Sequence, residues 1–310
     1  MIKKNSKIYL AGHRGLVGSA ILRKLKSSGF KNIITVTKKK LNLINQSKVE
    51  NFIKKKKPDL VIIAAGKVGG ILTNSKLQAE FMYENLMIEC NLINASFKHK
   101  IKNLIFLGSS CVYPSNISVK IKESDLLRSN LEKTNEGYAI AKIAGIKLCE
   151  YYNRQYNSNY FSLMPTNIYG PNDNYDPTTS HFIAALIMKI YLAKKNKLKH
   201  IILWGNGKSK REIMYVDDLA DAVIFFANKK PKHNLINIGR GKDMSIKDYA
   251  KNIMKIVNYK VPIKFDRTKP NGMRRKILDV SLANSYGWKS KTSLNNGIKK
   301  TFLQLSKKKK

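Results

Sequence analysis

One segment near the start of the chain constrains the fold more than any other. Lys7-Ile8-Tyr9-Leu10-Ala11 is an apolar run of strand length, and Gly12-His13-Arg14-Gly15-Leu16-Val17-Gly18 follows it at once. Over residues 17–25 the apolar side chains recur at helical spacing. A strand, a turn with three glycines and a helix make a dinucleotide cradle. The glycines permit a tight turn and close backbone approach, and the helix N-terminus favours a pyrophosphate. Gly12, His13, Arg14, Gly15, Leu16, Val17 and Gly18 are read as cofactor-binding; the alternative is a turn that only joins two elements.

The rest of the chain fits that start. Ile33-Ile34-Thr35-Val36 is a short β-branched strand, residues 49–55 a helix ended by Pro58, and residues 60–65 and 104–107 are buried-strand runs. Helices are expected over residues 78–97 and 138–156, and a strand over 160–164. Strands alternating with helices imply a parallel sheet covered on both faces. After Pro171 the chain becomes turn-rich. It continues with helices at 181–193, 216–227 and 245–257, strands at 201–204 and 236–239, and a short tail. The reading is a Rossmann-type doubly wound α/β sheet over residues 1–170. A smaller α/β substrate-binding lobe over 171–310 is partly interleaved with it.

The second strand leads into Thr37-Lys38-Lys39-Lys40, with no acid at its end. A carboxylate there binds a ribose 2′-hydroxyl and repels a 2′-phosphate. Lys38 together with Arg14 favours the phosphate, so NADP(H) is expected. The chain as a whole carries 59 Lys plus Arg against 20 Asp plus Glu, a formal charge of +39. Nucleic-acid binding is the obvious reading of such a charge. Only nine of the basic residues are Arg, however, and the lysines are spread along the whole length. Compositional drift over solvated faces explains that spread better, although anionic ligands still gain from the field. No apolar run approaches the ~20 residues of a membrane span, and no signal peptide is read at the N-terminus. Cys90, Cys111 and Cys149 lack metal-ligand spacing, so neither a metal site nor a disulfide framework is expected. A cytoplasmic protein is the expectation, with Cys90 and Cys149 as buried core cysteines.

Tyr138 and Lys142 stand four residues apart, on one face of a helix. An ammonium beside a phenol lowers the phenol's pKa, and such a tyrosine can protonate a carbonyl oxygen as hydride reaches its carbon. Gly108-Ser109-Ser110-Cys111 follows an apolar strand, where ligands sit in open α/β sheets. Pro165-Thr166-Asn167-Ile168-Tyr169-Gly170-Pro171 reads as a second turn, closing the next strand.

Together these segments resemble the extended short-chain dehydrogenase/reductases that act on nucleotide sugars. The finer match rests on residues 11–19, 64–71, 107–114, 134–150 and 164–171. It is similar to the branch that converts GDP-4-keto-6-deoxymannose to GDP-L-fucose by 3,5-epimerisation and NADPH-dependent 4-reduction. The resemblance implies that Tyr138 is the proton donor to O4, with Lys142 lowering its pKa and binding the nicotinamide ribose. Ser109 is the residue expected to bond the substrate carbonyl, with Ser110 as the alternative. Cys111 and His181 match the acid/base pair for C3 and C5, the thiol being drawn toward thiolate by a cationic imidazole. Leu107, Gly108, Ser109, Ser110, Pro165, Thr166, Asn167, Ile168 and His181 match cofactor-contacting positions. Lys189, Trp204, Arg211 and Asn271 match GDP-sugar positions, Lys189 and Asn271 standing where relatives often carry Arg and Asp. The helices over 78–97 and 138–156 match a homodimer interface. Two rivals remain: another nucleotide-sugar epimerase, dehydratase or reductase of the same fold, and a basic nucleic-acid binder on a relic reductase fold.

Overall fold

The computed structural model describes residues 2–117, 119–176, 179–269 and 272–308. The first half alternates strand and helix: β1 (Ile8–Ala11), α1 (Leu16–Ser27), β2 (Ile33–Ile34), α2 (Gln46–Lys56), β3 (Leu60–Ile63), α3 (Ile71–Lys76), α4 (Gln78–Lys98), β4 (Asn103–Leu107), α5 (Glu136–Tyr156) and β5 (Asn159–Pro165). The second half runs β6 (Asn167–Tyr169), α6 (Phe182–Lys195), β7 (Ile201–Trp204), β8 (Lys210–Tyr215), α7 (Val216–Lys229), β9 (Leu235–Ile238), β10 (Asp243–Ser245), α8 (Ile246–Ile256), β11 (Ile263–Asp266), β12 (Arg275–Lys276), α9 (Ser281–Ser285) and α10 (Leu294–Lys308).

Six parallel strands form the main sheet in the order β2-β1-β3-β4-β5-β9. Every residue of β1 and β3 is buried, because helices cover both faces. Ile8 and Leu10 point into a core shared with α1 and α7, while Tyr9 and Ala11 point into one shared with α2, α4 and α5. This is the Rossmann-type arrangement that the alternating pattern implied. The order in which strands are added reverses between β1 and β3, which opens a crevice at their carboxyl ends.

The remaining strands are shorter and lie apart. β8 pairs with β10, β12 and β6, and β11 pairs with β7. Around them α6, α8 and α10 close a third core through residues such as Ile187, Ile253 and Ile298. β9 returns to the edge of the main sheet and α7 to its face, so the second half of the chain is threaded through the first.

Three expectations need correcting. The chain after residue 257 is no irregular tail: it forms β11, β12, α9 and α10. Within α10, Ile298, Thr301 and Leu305 are buried at spacings of three and four, a stripe obscured by surrounding Lys and Asn. The Pro165–Pro171 segment is only partly a turn, since Asn167–Tyr169 is the strand that pairs with β8. β2 stops at Ile34, two residues early, and Lys38–Lys40 form a turn. Among the described residues no helix is long and apolar enough to cross a membrane.

Candidate active site

The crevice between β1 and β3 is shaped by missing side chains. Gly12 has φ of +87°, and a Cβ there would lie 2.6 Å from Ala65 N and 2.7 Å from Ala64 O. A Cβ on Gly18 would sit 2.1 Å from Gly12 O. Gly15 precedes α1, whose first turn has no acidic residue and no side-chain cap. Its N–H groups are left to an outside acceptor, and Arg14 stands beside them. This cradle fits a dinucleotide pyrophosphate. Burial, then the Arg14 charge, lowers the pKa of the His13 imidazole and so favours its neutral form. Lys38 is exposed, with its ammonium 3.8 Å from Glu84 Oε2 on α4, while Lys67 holds Glu84 Oε1 at 2.5 Å.

The next elements bring Ser109, Cys111, Tyr138 and Lys142 together. β4 ends at Leu107, and Gly108 passes so close to Met164 that no Cβ fits. Ser109 is extended, and its hydroxyl accepts from Cys111 N at 3.2 Å and bonds the Tyr138 phenol. Ser110 is 4% exposed, so it faces the core while Ser109 faces the tyrosine. Lys142 lies one helical turn after Tyr138. Its Nζ donates to Leu107 O at 3.2 Å and sits 5.9 Å from the Tyr138 ring centroid.

Lys142 also has a charged partner that the sequence reading did not foresee. Its ammonium is paired with Glu89 Oε1 at 2.7 Å, beneath the site. Burial pushes the Tyr138 phenol up, and the Cys111 and Glu89 charges add to that shift. Burial also raises the Glu89 carboxyl, to about 7, against the downward pull of Lys142. The sequence reading missed Glu89. Its signal was an acid following Asn85 by four residues on an otherwise apolar helical stripe, and both side chains are fully buried.

Cys111 is half-buried; Asn135 Nδ2 lies 3.3 Å from its Sγ, and Lys276 Nζ 3.5 Å. His181 sits just before α6, exposed to solvent on one side and enclosed by protein on the rest. That burial, and then the Lys276 charge, lowers its pKa and favours neutral imidazole. The cation expected at Cys111 is therefore Lys276 of β12 rather than His181. Nothing marked it among so many lysines. Of the other cysteines, Cys149 is buried and Cys90 only half-buried.

Thr166 and Asn167 turn toward β8, both side chains donating to Glu212 O, at 3.1 and 2.9 Å. Pro165 pairs with Ile238 of β9, and Ile168 with Met214 of β8. Arg211 on β8 donates to Lys210 O and Met273 O at 2.8 and 2.6 Å, with the Glu132 charge acting on it. Lys189 donates to Ile202 O. Trp204, at the end of β7, is 42% exposed, with Lys269 Nζ 6.0 Å from its ring centroid. Asn271 lies outside the described residues. No group of three or more His, Cys, Asp or Glu suited to a metal occurs among the described residues.

Comparison with known proteins places this geometry. A model of the NAD dependent epimerase/dehydratase family matches residues 8–239. The chain is 46% identical over 302 residues to putative GDP-L-fucose synthase 2 of Arabidopsis thaliana, covering 97% of this chain and 92% of that one. It is 44% identical over 305 residues to GDP-L-fucose synthase of Escherichia coli, covering 96% and 95%. Among solved structures it is similar to MlghC, a GDP-mannoheptose C4 reductase from Campylobacter jejuni with NADP bound. That likeness has a TM-score of 0.90 and 36% identity, covering 99% and 100% of the two chains. By crevice, sheet order and sequence alike, the chain belongs to the NAD dependent epimerase/dehydratase family.

Proposed function

We propose that this chain converts GDP-4-keto-6-deoxymannose to GDP-L-fucose, inverting C3 and C5 and then reducing C4 with NADPH. One observation carries the reading: two proton-transfer sets share one cleft. Tyr138 bonds Ser109 and feels the charge of Cys111, and Lys276 acts on both Cys111 and His181. The 4-ketone acidifies the protons at C3 and C5, so a base on one face and an acid on the other invert each centre through an enediolate. Lys276 lies against the Cys111 thiol and keeps His181 able to accept a proton. Gly12–Gly18 would hold the pyrophosphate of NADPH, and Arg14 and Lys38 its 2′-phosphate; the bound cofactor would supply the hydride for C4. Tyr138 gives its proton to O4, Ser109 donates to the same oxygen, and Lys142 reaches the nicotinamide ribose. The 107–110 and 165–168 segments line that end of the cofactor, with His181 beside them. Lys189 and Arg211 swing from their carbonyl partners to neutralise the diphosphate. Trp204 offers its exposed face to the guanine or sugar, and Asn271 a hydrogen bond to ribose.

The division of labour follows the proposed parts, residues 1–170 for the cofactor and 171–310 for the GDP-sugar. We infer a homodimer through α4 and α5, where Tyr83, Ile140 and Tyr151 are exposed, and a cytoplasmic location. The test is NADPH oxidation with GDP-4-keto-6-deoxymannose, NADH in parallel, and identification of the product. Turnover with NADPH and release of GDP-L-fucose is expected. Faster turnover with NADH overturns the cofactor assignment, and reduction without inversion at C3 and C5 moves the reading to a plain C4 reductase.

A further inference from the structure

Glu89 is a buried acid that the chemistry above does not use. It sits in the middle of α4, 0% exposed, and α5 makes room for it with a glycine. A Cβ on Gly145 would lie 2.7 Å from Glu89 Oε2 and 2.7 Å from Phe106 Cζ. Its Oε1 meets the Lys142 ammonium at 2.7 Å, while Oε2 has no hydrogen-bond partner among the described residues. Lys142 is 3% exposed, its Nζ lying 4.6 Å from the Phe106 ring centroid and 5.9 Å from that of Tyr138. A buried carboxylate with an unsatisfied oxygen is costly to keep, and an apolar pair of similar size is often no less stable. Stability alone therefore gives little reason for an acid here.

The reaction gives a reason. Reduction of a ketone needs the tyrosine as phenol when the hydride arrives, because phenolate has no proton to give. An unbalanced ammonium about 6 Å away in a low-dielectric site favours phenolate. With a carboxylate against it, the ammonium acts on the phenol as one end of a dipole, whose field falls off faster. We propose that Glu89 is a positioning residue for the reductive step, pinning the Lys142 ammonium and balancing its charge so that Tyr138 stays protonated as the donor. This rests on Tyr138 being the proton donor in the function proposed above. The groups facing Tyr138 are Ser109 and Cys111 from the turn after β4, Glu89 from α4, and Lys142 on its own helix. Those facing Glu89 are Lys142 and Cys149 from α5, with Cys90 beside it on α4.

Three readouts on the full chain test it. The first is the pH profile of C4 reduction for the parent, Glu89→Gln and Glu89→Asp. The second is tyrosinate absorbance during alkaline titration without ligands, each chain referenced to the same chain carrying Tyr138→Phe. The third is solvent exchange at C3 and C5. Glu89→Gln is expected to move the alkaline limb of reduction, and the Tyr138 absorbance step, to lower pH by about one unit or more. Exchange at C3 and C5 stays at the parental rate. Glu89→Asp draws the carboxylate back by about one C–C bond (~1.5 Å) and gives a smaller shift in the same direction. It decides the matter if Glu89→Gln does not fold. A loss of reduction that is uniform across pH, or an unmoved Tyr138 step in the variants that fold, overturns the proposal in favour of a purely structural role. Absence of turnover in the parent counts against the proposed function instead, and the absorbance titration still judges Glu89.

Discussion

The two sides of the cleft are built from different materials. The cofactor side is backbone: Gly12 and Gly18 leave no room for side chains, and the anion site is the open end of α1. Its strands β1 and β3 are buried at every position. The substrate side is made of long side chains, Lys189, Arg211 and Lys276, set on short strands and one helix. There β7 alternates buried and exposed residues. A backbone site has one geometry and tolerates no added atom. A site of lysines and arginines adapts by rotamer changes, each at a small cost.

That contrast predicts where a single methyl group does most harm. Gly18→Ala puts a Cβ 2.1 Å from Gly12 O, with backbone on the far side and nothing flexible to yield. NADPH binding is expected to disappear, with a stability loss of about 2 kcal/mol or more. Calorimetric titration with NADPH and a melting curve check both. Gly29→Ala is the control: Gly29 has φ of +80° but only Lys4 Cδ 3.9 Å away, so it pays in stability and keeps cofactor affinity. If Gly18→Ala binds NADPH like the parent, the rigid-cradle account fails.

The next largest effects separate the two proton-transfer sets. Tyr138→Phe is expected to lower reduction by about 10²- to 10⁴-fold while exchange at C3 and C5 continues. Cys111→Ser does the reverse, slowing exchange by a similar factor, because a hydroxyl gives up its proton far less readily than a thiol. NMR of product formed in deuterated water reads both. Loss of exchange and reduction together in Tyr138→Phe contradicts the division of roles.

The same contrast explains what the sequence disclosed. The cradle was legible because glycine identity and order are themselves the signal, and Tyr138 and Lys142 because helical spacing puts them on one face. Lys276 was not, since its role depends on β12 lying beside β8, a pairing 65 residues apart in sequence by its Lys276–Arg211 register. Glu89 was visible as an acid on an apolar stripe, yet periodicity names no partner, so the charge balance at Tyr138 was misjudged. α10 was lost for a compositional reason: Lys and Asn on its outer face hide the stripe of Ile298, Thr301 and Leu305.

Between the two sides runs the 171–176 loop, and one acid there links stability to pH. Asn172 bonds Ser19 of α1, while Gln304 of α10 reaches Asn172. Next to it, Asp173 has a buried oxygen without a hydrogen-bond partner among the described residues, and burial raises its carboxyl to about 7. The folded chain therefore holds a proton between about 3.8 and 7 that the unfolded chain releases. Stability from this group is greatest below the lower value and falls as pH rises through that window. Asp173→Asn removes the fall and leaves the variant about 1–2 kcal/mol more stable than the parent at pH 8, after allowance for partial exposure. Denaturant unfolding at pH 5 and 8 measures it. Parallel pH curves for parent and variant remove Asp173 from the account.

The smallest effect falls where the cofactor side, too, relies on a long side chain. Lys38 is the proposed 2′-phosphate ligand, yet its ammonium lies 3.8 Å from Glu84 Oε2, and its side chain is 77% exposed. An anion already beside it competes with the phosphate. An exposed pair is worth little, so Glu84→Gln is expected to tighten NADPH about two- to fourfold and leave NADH unchanged. Lys67 loses its 2.5 Å partner in the same variant and adds a second free cation to that rim. Affinities for 2′,5′-ADP and 5′-ADP, measured at two salt concentrations, isolate the phosphate from the rest of the cofactor. A gain for 2′,5′-ADP alone that shrinks with salt puts Lys38 at the phosphate. An equal gain for both ligands means that Glu84 repels the pyrophosphate instead, and the preference for NADPH then rests on Arg14 at the backbone cradle.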